Sequence, residues 1–219
     1  HHLNYVINDI VRITSGNLLH CFDSQTTVSH LLTDSRKLLF PADTLFLALP
    51  GPLRTGNSFV AELYEKGVRI FIVVPSFDNN IIGELPQSNI IAVKDVLSAL
   101  QQLAAFHRKN FELPVIGITG SNGKTIIKEW LYQLLGDKFN IVRSPRSYNS
   151  QSGVPLSVWQ INSQHNLGIF EAGISQPAEM QRLQNIIQPL IGVLGFMGEA
   201  HAEGFSSVTE KINEKLKLF

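Results

Sequence analysis

The residues with the clearest chemical potential lie in a glycine-rich segment near the middle of the chain. Residues 115–125 read Val-Ile-Gly-Ile-Thr-Gly-Ser-Asn-Gly-Lys-Thr, which places a predicted strand, a turn and a predicted helix in that order. Glycine allows successive backbone N–H groups to point at one anion, and the helix adds the positive end of its dipole. The lysine would reach outer phosphates and the threonine would hold Mg²⁺. The segment therefore predicts a nucleoside triphosphate site.

Six consecutive residues would form this site: Gly120, Ser121, Asn122, Gly123, Lys124 and Thr125. The common P-loop pattern has a glycine where this chain has Ile118, so the segment departs from that pattern. An ordinary glycine-rich turn with a solvated lysine is the alternative. The strand before the turn and the helix after it favour the phosphate site.

Other polar residues follow predicted strands. Glu171 ends an apolar segment on the side of the sheet where the glycine turn opens, and a carboxylate is a suitable ligand for Mg²⁺. A helix cap or a solvated glutamate is the alternative. Asp34, Ser35 and Arg36 follow a strand in the first half, and arginine is suited to phosphate. A turn in which Asp34 bonds to its own backbone is equally common.

The residue pattern alone assigns no function to several further side chains. His201 lies in a loop, where a single histidine is usually a surface residue. Lys211 and Lys215 share one face of a predicted C-terminal amphipathic helix, and composition indicates solvated lysines. Trp130 and Trp159 lie on helix faces, which favours positions in the core.

Short apolar segments alternate with helical patterns along the whole chain, which is typical of layered α/β architecture. The first half predicts strands over 27–32, 44–49, 70–74 and 89–93, helices over 58–66 and 96–107, and a linker over 107–112. Asp95 is the predicted N-cap of the second helix. The second half predicts strands over 114–119, 139–143, 167–170 and 190–194, and helices over 124–135, 154–161 and 178–187.

These elements predict an α/β fold with two domains. A small α/β domain over residues 1–112 precedes a doubly wound, mostly parallel sheet over 113–219, whose nearly continuous apolar strands are typical of strands covered on both faces. Ligands of such sheets bind beyond the carboxyl ends of the strands. We therefore expect residues 117–124, 171–173 and 196–201 to converge.

Composition excludes several classes of protein. The 219 residues include 18 basic and 18 acidic side chains, and neither half has an excess, which argues against binding to nucleic acid. Cys21 is the only cysteine, so the chain contains no internal disulfide. No segment approaches the roughly 18 apolar residues of a membrane-spanning helix, and no signal peptide is evident. We expect a cytoplasmic monomer without a membrane or nucleic-acid partner.

The chain resembles the Mur ligases, the ATP-dependent amide-forming enzymes of peptidoglycan precursor synthesis. The resemblance rests on residues 33–37, 45–49 and 56–59 in the first half, and on 123–129, 149–156, 169–173 and 200–205 in the second. The chain departs from the family at Ala42, Asn57 and Ser150, where glycine, histidine and asparagine are usual. Family members continue well past residue 219, so we expect a fragment without the C-terminal domain and with little activity of its own.

The resemblance implies a ligase that uses ATP and Mg²⁺ to add D-alanyl-D-alanine to UDP-N-acetylmuramoyl tripeptide through an acyl phosphate. Within the family, residues 123–129 are similar to members that add this dipeptide. The implied catalytic residues are Lys124, Asn149 and Lys215, the last as a carbamate; the implied metal ligands are Thr125, Glu171 and His201; and the implied UDP contacts are Asp34, Ser35 and Arg36.

Other functions stay open at this stage. A Mur or folylpolyglutamate-type ligase that adds a single amino acid would share the phosphate segment. A GTPase or kinase would share it too, although the Asn-Lys-x-Asp motif of guanine recognition does not occur in the sequence. A non-catalytic module that binds UDP-sugars is the third alternative.

Overall fold

The computed structural model describes residues 3–51, 56–198 and 204–219. The chain divides into two units, residues 2–103 and residues 104–219. Helices alternate with mostly parallel strands in both units, so the predicted α/β fold class is confirmed. In these three ranges, no helix is both long enough and apolar enough to cross a membrane.

The first unit is built on a five-stranded sheet. Its elements are β1 (Tyr5–Val6), α1 (Ile7–Thr14), β2 (Asn17–Cys21), β3 (Thr27–Val28), β4 (His30–Leu32), β5 (Thr44–Leu47), α2 (Val60–Glu65), β6 (Ile70–Val73), β7 (Asn89–Ala92) and the start of α3 (Val96–Arg108), which continues into the second unit. The strand order is β2-β7-β6-β5-β4; β2 is antiparallel to β7, and the other pairs are parallel. The three central strands are buried along their whole length, which explains their continuous apolar sequences.

One sequence prediction for this unit needs correction, some elements were not predicted, and one prediction is confirmed. The single strand predicted over 27–32 is two strands: β3 pairs with β1 in a separate two-stranded sheet, and β4 pairs with β5. Neither α1 nor β2 was predicted, although α1 buries Ile7, Ile10 and Thr14 at helical spacing. Asp95 caps α3 as expected, because its carboxylate accepts the N–H of Leu97 at 3.0 Å.

The second unit has a four-stranded parallel sheet. Its elements are β8 (Val115–Thr119), α4 (Lys124–Leu135), β9 (Ile141–Arg143), α5 (Gly153–Val158), β10 (Leu167–Glu171), α6 (Glu179–Ile187), β11 (Ile191–Leu194) and α7 (Val208–Leu216). The strand order is β11-β8-β10-β9. One face packs against α4 and the other against α5 and α6. The central strands β8 and β10 are buried along their whole length, as expected, but β11 is mostly exposed, so the expectation of cover on both faces is wrong for that strand.

Two predictions for the second unit are wrong. Residues 107–112 are not simply a linker, because α3 continues through Arg108 and both of its last residues are buried. The ring of His107 lies 4.6 Å from that of Trp159, and Arg108 donates to the carbonyl oxygen of Ile187 at 3.0 Å. Trp159 lies in the core as predicted, but Trp130 is 64% exposed because it projects from the outer side of α4.

Candidate functional site

The loop between β8 and α4 has the backbone conformation that the glycine pattern predicts. Gly120 has a φ of +150° and Gly123 a φ of +82°, in the region that favours glycine. Because α4 begins at Lys124, the N–H groups of its first turn have no acceptor within the helix. The loop therefore brings backbone donors and a helix N-terminus together, which suits a phosphate group.

Three loops meet at the carboxyl edge of this sheet. The N–H of Ser121 donates to the carbonyl oxygen of Phe196 at 2.8 Å, and the N–H of Gly195 donates to the carbonyl oxygen of Thr119 at 2.8 Å. The hydroxyl of Thr119 donates to the carbonyl oxygen of Ala172 at 2.9 Å. The expected convergence is therefore observed as far as residue 198. The Ser121 N–H, a predicted phosphate donor, is bound to Phe196 instead.

Lys124 lies over the phosphate loop. Its Nζ atom donates to the carbonyl oxygen of Gly120 at 2.9 Å. Burial lowers the pKa of Lys124 below its ordinary value, and the positive charge of Lys211 acts in the same direction, while Glu171 opposes both. An anion bound at the loop would favour the charged form of this lysine, as a phosphate-binding role requires.

Glu171, at the end of β10, contacts two other residues that the sequence analysis selected. Its side chain has no exposed area. The Oε2 atom accepts a hydrogen bond from the hydroxyl of Thr125 at 3.1 Å and one from Nδ2 of Asn149 at 3.4 Å. The structure thus brings one other predicted metal ligand, Thr125, and one predicted catalytic residue, Asn149, to a single oxygen of Glu171.

Lys128 is a site residue that the sequence analysis missed. Its Nζ atom lies 2.9 Å from Oε1 of Glu171, and neither side chain is exposed. It also donates to the carbonyl oxygens of Ser144, at 2.8 Å, and Arg146. The available signal was its position four residues after Lys124, on the same side of α4.

The oxygen atoms at this position fit Mg²⁺. The hydroxyl of Thr125 and the carboxylate of Glu171 are the hard ligands that this ion prefers. Oε1 of Glu171 is buried and accepts no hydrogen bond from the described residues, so its contact with Lys128 is an ion pair. The part of the chain that the structure describes has no group of three His, Cys, Asp or Glu side chains suited to a metal. His201 lies outside the described residues.

The helix α7 buries the two lysines that composition assigned to solvent. Lys211 and Lys215 are both about 3% exposed, so the expectation of solvated lysines was wrong. Burial lowers the pKa of Lys215 to about 8, and the positive charges of Lys124 and Lys211 add to this effect. Lys215 therefore has a larger neutral, nucleophilic fraction near neutral pH than a solvated lysine has.

Asp34, Ser35 and Arg36 form a closed turn in the first unit. Asp34 accepts the backbone N–H of Arg36 at 3.1 Å, and the guanidinium donates to its two carboxylate oxygens at 2.9 and 2.8 Å. The side-chain hydrogen bond from Arg36 is the main reason that the pKa of Asp34 is lowered. The turn that the sequence analysis gave as an alternative is therefore observed. A phosphate group would have to compete with Asp34 for the guanidinium group of Arg36.

Comparison with known proteins places this site in a family. Residues 118–219 match the Mur ligase middle domain. The chain is 30% identical over 212 residues to the UDP-N-acetylmuramoyl-tripeptide--D-alanyl-D-alanine ligase of Bacillus subtilis, covering 97% of the chain and 45% of that relative. It is 34% identical over 193 residues to the enzyme of the same name from Treponema pallidum, covering 85% and 41%.

Solved structures agree with these sequence matches. A crystal structure of MurF from Acinetobacter baumannii superposes with a TM-score of 0.87 at 27% identity, covering 99% of this chain and 46% of that one. MurF ligase from Thermotoga maritima in complex with ADP superposes with a TM-score of 0.74 at 28% identity, covering 86% and 42%.

Residues 118–219 therefore match a Mur ligase domain, in agreement with the resemblance that the sequence motifs indicated. The two relatives carry one name, UDP-N-acetylmuramoyl-tripeptide--D-alanyl-D-alanine ligase, and the two structures are named MurF. The similarity to them extends over the first unit as well. The chain spans slightly less than half the length of these relatives.

Proposed function

We propose that this chain is part of an ATP-dependent ligase that joins D-alanyl-D-alanine to UDP-N-acetylmuramoyl tripeptide. The observation that carries the proposal is the 3.1 Å contact between Thr125 and Glu171 beside the glycine loop, which combines a phosphate loop with a buried carboxylate suited to a metal. The names of the relatives support the two substrates, and the ADP complex of the Thermotoga maritima structure supports the nucleotide.

The reaction has two steps in this proposal. The tripeptide carboxylate attacks the γ-phosphorus of ATP, the bond to ADP breaks, and an acyl phosphate forms. The dipeptide amine then attacks the acyl carbon and loses a proton, and phosphate leaves. Two anions meet in the first step, so positive charge must offset their repulsion. Lys124 and the N–H groups at the start of α4 supply it, and Asn149 orients the acyl group from beside Glu171.

Thr125 and Glu171 would hold Mg²⁺, with His201 as a further ligand by resemblance. When bound, the ion supplies positive charge that lowers the cost of bringing carboxylate and phosphate together. We assign Lys215 as a carbamate: its neutral amine adds to CO₂ and loses a proton, which converts a cation into an anion. The lowered pKa of Lys215 supports this assignment because the neutral amine is the form that reacts.

The first unit would bind the UDP portion of the substrate, with Asp34, Ser35 and Arg36 in contact with it. The guanidinium of Arg36 is exposed and already aligned by Asp34. The guanidinium group of Arg36 can bind a phosphate through two parallel hydrogen bonds if the phosphate replaces Asp34 as its partner.

The test uses the full-length protein that contains this chain. Phosphate release from ATP is expected only when UDP-N-acetylmuramoyl tripeptide and D-alanyl-D-alanine are both present. Release with a single amino acid in place of the dipeptide would assign the protein to another ligase. Thermal stabilisation by GTP, without stabilisation by the UDP-tripeptide, would overturn the proposal altogether.

A substitution tests the site itself. Glu171→Gln removes the proposed carboxylate ligand and keeps the shape of the side chain, so Mg²⁺-dependent phosphate release should fall by at least about 100-fold. Glu112→Gln is the matched control, since it removes an exposed carboxylate from the same unit. Equal activity of the two variants would remove Glu171 from the site.

A further inference from the structure

Lys128 uses its ammonium group entirely within the protein. An ammonium has three N–H donors, and Nζ of Lys128 has three close oxygen neighbours: the carbonyl oxygens of Ser144 and Arg146, and Oε1 of Glu171. A second carboxylate, that of Glu129, lies at 3.3 Å on the outer side. Lys128 has no exposed area, so its ammonium group is shielded from bulk solvent.

The three neighbours belong to two separate parts of the site. Ser144 and Arg146 begin the loop that leads to Asn149, whereas Glu171 ends β10. Arg146 has a φ of +49°, which is unfavourable for a residue other than glycine. Its carbonyl oxygen is one of the acceptors of Lys128, so the lysine stabilises a turn that the loop would not otherwise favour.

Asn149 connects the same two parts at their other end. Its Nδ2 atom lies 3.4 Å from Oε2 of Glu171, and its carbonyl oxygen accepts the N–H of Gly173 at 2.7 Å. Ser144 adds a further link, because its hydroxyl oxygen accepts the N–H of Glu171 at 3.0 Å. One ammonium group on the phosphate-loop helix therefore contacts both the carboxylate and the loop.

We propose that Lys128 is a positioning residue of the nucleotide site, which holds Glu171 by Oε1 so that Oε2 faces Thr125 and Asn149. Lys128 itself touches no reacting group. The inference rests on the proposed function only in requiring a metal–nucleotide complex at Thr125 and Glu171. Arginine cannot replace this lysine, because a planar guanidinium does not match three oxygens arranged around one nitrogen.

The test measures ADP binding by the full-length protein with Mn²⁺ and, separately, with EDTA. Lys128→Met should reduce the gain in ADP affinity from Mn²⁺ by at least about ten-fold, a loss of the size found for residues that orient a metal ligand, while affinity in EDTA stays within about two-fold. Lys128→Arg should not restore the gain. Lys138→Met, which removes an exposed lysine beyond α4, is the matched control and should behave as the unaltered protein.

The outcomes separate the two proposals. An unchanged gain from Mn²⁺ in Lys128→Met, or restoration by Lys128→Arg, overturns the role of Lys128. Absence of ADP binding by the unaltered protein overturns the proposed function instead. A merely structural role would lower affinity equally with Mn²⁺ and with EDTA, which also overturns the inference.

A second measurement needs no substitution, so it does not depend on a variant that folds. In the unaltered protein labelled with ¹⁵N at lysine side chains, the buried Lys128 ammonium should exchange its protons slowly and give a resolved signal. That signal should shift when Mg²⁺ and ADP are added together, and not with ADP and EDTA. An absent signal, or one that does not respond to the metal, contradicts the proposal.

Discussion

The carboxylate of Glu214, on α7, lies 3.3 Å from the backbone nitrogen of Met180, in the first turn of α6. Glu214 is buried, and its other oxygen pairs with Nζ of Lys217 at 2.5 Å. A negative charge is favourable at the N-terminal end of a helix. The contact anchors α7 against α6 and so keeps Lys211 and Lys215 in the interior.

Glu214→Gln should therefore destabilise the second unit. The substitution keeps the shape of the side chain but removes a buried charge from a helix N-terminus and from an ion pair. We expect the free energy of unfolding to fall by about 1–3 kcal/mol in urea denaturation. Glu112→Gln, at an exposed position, should change it by less than about 0.5 kcal/mol. Equal effects of the two substitutions would show that the contact with Met180 contributes nothing.

The lowered pKa of Lys215 predicts a dependence of stability on pH. The folded state has a pKa of about 8 for this group, against the ordinary 10.5. Between these values the unfolded state binds more protons, so stability should rise with pH across this window, and below about pH 8 the cost of the buried charge is fully present. Denaturation from pH 7 to 11 in CO₂-free buffer measures the rise.

Two substitutions test this prediction, one at Lys215 and one at Lys138, a control lysine that is already exposed to solvent. Lys215→Met should reduce the rise, although not abolish it, because burial also lowers the pKa of Lys124. Lys138→Met should leave the rise intact. If Lys215→Met retained the whole rise, the titration would belong to another group.

Thr119 joins two strands at the edge of the site. Its buried hydroxyl donates to the carbonyl oxygen of Ala172 at 2.9 Å. Thr119→Val keeps the branched shape and removes this bond, so the free energy of unfolding should fall by about 1–2 kcal/mol. The proposed Mg²⁺-dependent activity should fall as well, because Ala172 follows Glu171 directly. Loss of stability with full activity would show that the edge of β10 does not need this support.

The elements with strong local signals could be predicted from sequence. The helix α4 begins and ends at the expected residues. Its apolar residues recur at clear helical spacing, and that pattern is preceded by the glycine turn and followed by Gly136. The strand over 27–32 could not be predicted as two strands, because its break at Ser29 depends on pairing with β1, a strand of two residues. Local pattern carries no information about such distant partners.

The site shows the same limit. The positions of the glycine loop and of Glu171 at one edge of the sheet were predictable, because both follow apolar strands in a fold with a known binding edge. The burial of Lys128 was not, because it depends on the parallel register that places Glu171 opposite Ile118 and on the turn at Arg146. Composition likewise assigns a lysine to solvent, and only packing of α7 buries Lys211 and Lys215.

Gly173 tests the placement of Asn149. A Cβ atom at Gly173 would lie 2.7 Å from Oδ1 of Asn149, too close for an ordinary contact. Gly173→Ala should displace that side chain from Glu171, with a cost in stability of about 1–3 kcal/mol because the added methyl group overpacks a filled space. Gly83→Ala is the control: a Cβ there meets nothing within 4 Å, and the substitution should be neutral or stabilising by about 0.5 kcal/mol.

The proposed role of Asn149 makes activity the sharper measurement. If Asn149 orients the acyl group, Gly173→Ala in the full-length protein should lower kcat for phosphate release by at least about ten-fold, since small misplacements of positioning groups have large effects. The KM for ATP should change less than kcat, because Lys124 and the N–H groups at the start of α4 are unaltered by the substitution. Full activity of Gly173→Ala, despite the expected loss of stability relative to Gly83→Ala, would exclude Asn149 from the catalytic site.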